Sequence, residues 1–162
     1  HDCLAGRFRN ADRESWARFS KPVYRDLPQG LLVRADNERI KAFSRMEDAL
    51  RATNNRILVK LAYSYGPVID GWLKQRDRPT MVTADENVEM LRQIHLGVAD
   101  AFVIAEEEAT GLIQRSGLPP DNLEFLRFAD APPGEFRYIM CSHMVPPRVM
   151  QKLDAAINFK SR

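Results

Sequence analysis

Between residues 56 and 115, short apolar strands alternate three times with amphipathic helices, and no other feature constrains the fold as strongly. The predicted strands cover residues 56–61, 80–83 and 100–104, and a stretch with helical periodicity follows each of them. Such alternation favours parallel strands that are joined by right-handed helical crossovers. The sequence therefore predicts an α/β fold, in which ligands usually bind at the carboxyl ends of the strands.

The helix after the second strand carries its own start and stop signals. Thr83 and Glu86 have the spacing of a capping box, which predicts a helix that begins there and ends at Gly97. The preceding helix is predicted over residues 67–76, with Pro67 in its first turn. The helix after the third strand repeats apolar residues at the spacing of a buried stripe.

Two stretches flank this block and look like a pair of connections that enter and leave it. They are residues 24–35, which contain a short apolar run, and the extended residues 123–128. A further strand is predicted over residues 136–141, and a helix begins after it at Pro146 and Pro147.

Charge and motif content exclude several classes of function. Lys and Arg number 24 against 22 Asp and Glu, and no basic run provides the positive surface that nucleic acid requires. No apolar run approaches the roughly 20 residues of a membrane-spanning helix. His1, His95 and His143 have no metal-ligand spacing, and no phosphate-binding loop is present, so neither a metal nor a cofactor is predicted.

Five short motifs follow one another in the order and separation of a known family. They are Asp-Arg-Glu at 12–14 with Phe-Ser-Lys-Pro-Val-Tyr at 19–24, Leu-Val-Arg at 32–34, Tyr-Ser-Tyr-Gly at 63–66, Gly-Val-Ala-Asp-Ala at 97–101, and residues 138–142. On these motifs the chain resembles the type 2 periplasmic solute-binding proteins of bacterial ABC importers. The branch it resembles, extracellular solute-binding family 3, binds amino acids and other small polar solutes.

The resemblance implies two α/β lobes that are joined by a two-strand hinge and hold the ligand between them. Residues 1–34 and 128–162 are assigned to lobe one, and residues 35–127 to lobe two. Nothing in the chain matches the strand, helix and strand that open lobe one in the family, so lobe one is expected to be incomplete. An incomplete lobe leaves a sheet edge uncovered, which predicts a homo-oligomer that associates through lobe one.

The resemblance also nominates ligand-binding residues. Arg13 matches the family position at which an arginine guanidinium binds the ligand carboxylate, a role that suits a planar bidentate donor. Phe8 lies at a position where the family's amino-acid binders have small hydroxyl residues. Tyr63, Ser64 and Tyr65 occupy the turn before a helix, where Ser64 has the alternative role of capping that helix.

One expected carboxylate is absent from its family position. Amino-acid binders place an Asp there to pair with the ligand ammonium, and by spacing that position is Ala105. Glu106 or Glu107 is the candidate substitute, although acidic residues in the first turn of a helix also favour the helix dipole. This departure weakens the prediction of an ordinary α-amino acid as ligand.

Cys3 and Cys141 both fall in lobe one under the resemblance. In an oxidising periplasm two thiols on neighbouring strands are expected to form a disulfide bond. Two buried free cysteines are the alternative.

The function implied by the resemblance is capture of a small carboxylate-bearing solute in the periplasm and delivery to an ABC permease in the membrane, without catalysis. Two alternatives stay open. The same fold could serve as a ligand-sensing extracellular domain of a signalling protein. It could also serve as a dehydratase-like enzyme, which requires Glu106 or Glu107 as a general acid with a raised pKa.

Overall fold

A computed structural model of the chain describes residues 2–160 and leaves His1 and residues 161–162 outside the description. The strands of the described part are β1 (Cys3–Arg7), β2 (Ala17–Arg25), β3 (Gln29–Arg34), β4 (Ile57–Lys60), β5 (Met81–Thr83), β6 (Ala101–Ala105), β7 (Leu123–Leu126) and β8 (Phe136–Ser142). Its helices are α1 (Ala11–Glu14), α2 (Glu38–Lys41), α3 (Met46–Arg51), α4 (Pro67–Lys74), α5 (Asn87–His95), α6 (Glu106–Arg115) and α7 (Pro147–Ala156).

Contacts divide the chain into two compact units. Unit 1 comprises His1–Asp26 with Gly134–Arg162, and unit 2 comprises Leu27–Pro133. The sequence places its lobe boundaries at residues 34 and 128 instead. The stretch 27–34 groups with unit 2 because β3 hydrogen-bonds to a strand of that unit on each side, β6 and β7. The stretch 128–133 groups with unit 2 because Asp130 accepts the backbone N–H groups of Met46 and Glu47.

Unit 2 is built on a five-stranded sheet with the strand order β5-β4-β6-β3-β7. β4 runs parallel to both β5 and β6, whereas β3 runs antiparallel to β6 and β7. The prediction of parallel strands joined by helical crossovers is confirmed, since α4 and α5 lie between these strands in the sequence. The stretches predicted as flanking connections are themselves strands of this sheet, β3 and β7.

Both faces of the unit 2 sheet are covered by helices, which bury two apolar clusters. Along β3, Leu31 and Val33 belong to one cluster and Leu32 to the other, because successive side chains of a strand point to opposite faces. Residues from α2, α3 and α4 complete the first cluster, and residues from α5 and α6 complete the second. Continuous apolar strands are what such a two-sided core requires.

The predicted capping box at the start of α5 is wrong. The Thr83 hydroxyl accepts the backbone N–H of Asp85 at 3.1 Å and donates to the Asp85 carboxylate at 2.6 Å. These local bonds form a turn that competes with helix, and the helix begins at Asn87 without a side-chain cap. The predicted end is confirmed, because Gly97 follows the last turn with a φ of 70°.

Unit 1 contains a three-stranded antiparallel sheet with the order β1-β8-β2, and α7 packs against it. Its buried apolar cluster is small and comprises Cys141, Val145 and Met150, with two partly buried side chains packed beside them. A disulfide bond joins Cys3 of β1 to Cys141 of β8. Within residues 2–160, none of the helices has the length and apolar composition that crossing a membrane demands.

Candidate functional site

The strands of unit 2 bring four segments to one edge of their sheet, named here the carboxyl edge. The parallel strands β4 and β6 both end there, and Gln29 at the start of β3 pairs with Ala105 at the end of β6. The last residue of β7, Leu126, pairs with Leu31. The turn at 61–66, the start of α6 and Arg127 therefore share an edge with Gln29, at the end of the sheet where ligands usually bind.

Contacts of Tyr63 and Tyr65 fix the turn that follows β4. The Tyr65 hydroxyl accepts the backbone N–H of Lys60 at 2.9 Å, and the Tyr63 and Tyr65 rings meet edge to face with centroids 5.0 Å apart. Burial raises the pKa of Tyr65 to about 12, so the phenol stays neutral. Ala62 adopts a φ of 56°, a left-handed conformation that the surrounding contacts must hold.

Hydrogen bonds with Asp70 and Gln29 also hold this turn in place. Asp70 accepts the Ser64 hydroxyl at 2.6 Å and the Tyr65 backbone N–H at 2.8 Å. The buried Gln29 amide donates to the Tyr65 carbonyl at 3.0 Å. Ser64 is not the N-cap residue of α4, which is Gly66, but its Oγ accepts the Gly66 backbone N–H at 3.3 Å. The turn is thus held rigid before any ligand arrives.

Glu106 and Arg127 form a bidentate salt bridge on the carboxyl edge. The Arg127 Nε donates to one Glu106 oxygen at 3.0 Å, and its Nη2 donates to the other at 2.6 Å. The hydrogen bonds from Arg127 hold the pKa of Glu106 below its ordinary value, and the pair raises the pKa of Arg127. Glu106 is therefore an ionised and already paired carboxylate.

Sequence reasoning missed Arg127. A usable signal was present, because Glu106 directly follows β6 and Arg127 directly follows β7, and both strands lie antiparallel to β3. Two residues that follow strands on either side of a shared antiparallel neighbour emerge at the same edge of the sheet. Recognising β3 as a member of the sheet was the missing step.

Arg13 lies in unit 1, in the last turn of α1. Asn10 caps this helix by accepting the Arg13 backbone N–H at 2.9 Å. The Arg13 Nη1 donates to the Phe8 carbonyl at 3.0 Å. Among residues 2–160 no carboxylate lies within ion-pair distance of this guanidinium. Arg13 therefore retains donor groups that can bind an anion.

Phe8 is buried in unit 1, with 6% of its surface exposed. Its ring lies under the Arg137 guanidinium, whose central carbon is 3.6 Å from the ring centroid. Arg137 in turn donates to the buried Asp26 carboxylate at 2.7 Å. In the described structure Phe8 thus packs within unit 1, and its contact with a ligand stays a prediction.

The predicted site residues therefore fall in two places. Phe8 and Arg13 lie in unit 1, while the turn 63–65 and Glu106 share the carboxyl edge of unit 2. Unit 1 also has an open pocket of about 420 Å³ that does not include Arg13. Its lining residues are Arg9, Glu14, Ala17, Arg18, Phe19, His143 and Met150.

The fold matches solved structures of periplasmic binding proteins. The periplasmic VFT2 domain of BvgS from Bordetella pertussis aligns with a TM-score of 0.68 and 22% identity, over 98% of this chain and 60% of that one. The substrate-binding protein of an amino acid ABC transporter aligns with a TM-score of 0.70 and 16% identity, over 96% and 63%. A structure from work on glutathione import through GshT and the cystine importer TcyBC of Streptococcus mutans aligns with a TM-score of 0.69 and 16% identity, over 91% and 58%.

These likenesses define the fold class. The chain has the α/β fold of type 2 periplasmic binding proteins, and it spans about three fifths of the length of these three structures. Neither a protein-family model nor a curated protein matches its sequence.

Proposed function

We propose that this chain is a solute-binding protein of a bacterial ABC importer, which captures a small carboxylate-bearing solute in the periplasm and delivers it to a membrane permease. Structures with this fold include the substrate-binding protein of an amino acid transporter and an ancestral arginine-binding protein. Self-association through the exposed edge strand β1 belongs to the same proposal, because an unpaired strand edge invites pairing with another chain.

The unpaired guanidinium of Arg13 is the observation that carries the proposal. Its backbone is fixed by the Asn10 cap and its Nη1 by the Phe8 carbonyl, so the remaining N–H donors are preorganised. A planar fork of donors matches a carboxylate in two-point contact, which a lysine ammonium does not achieve. Replacing Arg13 by Ala removes a charge-assisted contact and should weaken binding by about 2 to 5 kcal/mol.

Calorimetric titration with a panel of amino acids and the corresponding 2-oxo acids tests this proposal. Any member that binds the wild-type chain is then titrated into the Arg13→Ala and Arg13→Lys variants. Arg148→Ala is the matched control, because Arg148 is exposed on α7 of the same unit. Equal dissociation constants for wild type and Arg13→Ala, or the absence of any binding on the panel, would reject the proposal.

A ligand-sensing domain of a signalling protein is the second candidate. The likeness to the periplasmic VFT2 domain of BvgS favours it, since that alignment covers 98% of this chain. Genes for a permease and an ATPase beside the gene for this chain would favour transport. A membrane-spanning segment in the same gene product would favour sensing.

Catalysis by Glu106 conflicts with its surroundings. A dehydratase-like general acid needs a carboxyl group whose pKa is raised, whereas Arg127 lowers the pKa of Glu106. Glu107 accepts the backbone N–H of Leu27 at 3.1 Å, which gives it a structural contact. We therefore propose a binding function without chemistry.

A further inference from the structure

The open cavity of unit 1, about 420 Å³ in volume, is formed by three segments of that unit. They are the stretch around α1, the first residues of β2, and the stretch from the end of β8 into α7. Among the described residues, those that line the cavity all belong to unit 1 and do not include Arg13. Cavities of roughly 300 to 1,000 Å³ are usual for small-molecule sites, so this one has the size to hold a ligand.

The charges that line the cavity do not cancel. Arg9 and Glu14 form a salt bridge with each other, which leaves that pair neutral overall. The Arg18 Nη1 donates to the Val145 carbonyl at 3.0 Å, and no carboxylate among residues 2–160 lies within ion-pair distance of this guanidinium. Arg18 therefore contributes one uncompensated positive charge, and other N–H groups of its planar fork are available to an acceptor.

Apolar side chains line the same cavity. Ala17 and Met150 are buried, and Phe19 is half-buried. Met150 belongs to the small apolar cluster of unit 1, and the carbonyl that holds Arg18 belongs to Val145 of the same cluster. The guanidinium is thus anchored beside apolar surface, where water screens its charge less than in bulk solvent.

We propose that this cavity binds a small monocarboxylic acid with an apolar body, such as an aromatic or branched aliphatic acid, and that Arg18 anchors the carboxylate. One uncompensated guanidinium matches one negative charge, whereas a phosphate dianion would bring a second negative charge toward Glu14. His143 also lines the cavity and can donate a ring N–H to the carboxylate. The apolar body covers the apolar part of the lining, and its removal from water adds to the affinity. The site goes beyond the proposed function, which depends on Arg13.

Benzoate and benzamide are the probes for the test, because they share a ring and differ in charge. Titration of the full chain with benzoate, followed by two-dimensional NMR, should shift the backbone amides of residues 17–19, His143 and Met150 in a saturable way. Benzamide should bind at least about tenfold more weakly, since it offers the guanidinium no charge. Equal affinity for the two probes, saturable shifts confined to other residues, or no saturable shift would overturn the inference.

Two variants at the cavity test the role of its charges. Arg18→Met should weaken benzoate binding about tenfold or more, because it removes the charge-assisted contact. Arg148→Met is the matched control, since Arg148 is exposed on α7 of the same unit. Glu14→Gln keeps the anchor but removes a nearby negative charge and releases Arg9, so benzoate should bind about threefold more tightly or better. Unchanged affinity in Arg18→Met, or in Glu14→Gln if a thermal melt shows that Arg18→Met is unfolded, would contradict the proposal.

Arg13→Ala distinguishes this site from that of the proposed function. Benzoate should bind this variant as it binds the wild type, because Arg13 does not line the cavity. Loss of benzoate binding in Arg13→Ala would place the probe at Arg13, which would overturn this inference and support the proposed function. Retained benzoate binding together with a failure of the amino-acid and 2-oxo-acid panel would leave this site standing alone.

Discussion

The two units of the chain are stabilised by different means. Unit 2 places a sheet between two apolar clusters, each with eleven buried residues among those described. The apolar cluster of unit 1 has three, and a disulfide bond and a buried Arg137–Asp26 ion pair add to it. A small unit buries too little apolar surface to rely on it alone, and cross-links compensate. Loss of the disulfide bond should therefore lower the stability of unit 1, and truncation of a buried apolar side chain should lower the stability of unit 2.

Loss of the disulfide bond should cause the largest decrease in stability. The bond closes a loop across 138 residues, and the chain-entropy model assigns such a constraint about 4 to 5 kcal/mol. Cys3→Ser is the suitable variant, because Cys3 is exposed and its replacement creates no cavity. Hydrogen exchange at increasing urea should show β8 amides losing protection well before β6 amides.

Wild-type protein treated with a reductant is the control for this variant and should behave in the same way. Simultaneous loss of protection in β8 and β6 would contradict this expectation, because it would mean that the two units unfold in one cooperative transition.

Truncating a buried leucine of unit 2 should cause the next largest decrease in stability. Leu50 is fully buried in the first cluster, so Leu50→Ala should lower the free energy of unfolding by about 3 kcal/mol. Leu153→Ala makes the same chemical change in unit 1, where Leu153 is only partly buried, and should cost about 1 kcal/mol. Urea denaturation measures both. A larger loss for Leu153→Ala would refute the assignment of the apolar core to unit 2.

An ionic interaction makes a smaller contribution to the stability of unit 2, and this contribution should be lost at acid pH. Burial opposes ionisation of Asp100, but hydrogen bonds from Arg56 outweigh it and lower the pKa of that carboxyl. A carboxyl whose pKa is lower in the folded state stabilises fully above its ordinary pKa of about 3.9, and this stabilisation is lost as the pH falls further. The free energy of unfolding should decline between about pH 5 and pH 2.

Asp100→Asn should remove part of that decline. It should also cost about 2 kcal/mol at neutral pH, because it removes charge-assisted hydrogen bonds to Arg56 and the ion pair with Arg39. Urea denaturation across this pH range measures both effects. An identical acid dependence in wild type and variant would show that Asp100 does not titrate in this way.

Periodicity predicted β4, β5 and β6 of unit 2 and β8 of unit 1, but it missed β1 and β2 of unit 1 and interpreted the stretches of β3 and β7 as connections. Residues 57–60 and 101–105 form apolar runs that only a strand with two covered faces explains. β1 at Cys3–Arg7 is almost wholly exposed, so its side chains carry no alternating pattern. The α5 start was missed for a local reason, since the Thr83 hydroxyl bonds two residues ahead instead of three.

The candidate site was predictable where its residues are adjacent in the sequence. The turn at 63–65 lies between a strand and a helix, which a single sequence reveals. The Glu106–Arg127 pair joins residues 21 positions apart, and only the antiparallel register of β3 brings them to the same edge. A hydrogen-bond partner set by strand pairing has no local signature in the sequence.

The bond between Cys3 and Cys141 also has a topological consequence. It closes a covalent ring that contains all of unit 2, since Leu27–Pro133 lies between the two cysteines. A protease that cuts once inside this ring, for example in the exposed residues 84–86, releases no fragment. The nicked molecule keeps the full mass of 18.6 kDa until the bridge is reduced, and only then separates into two polypeptides.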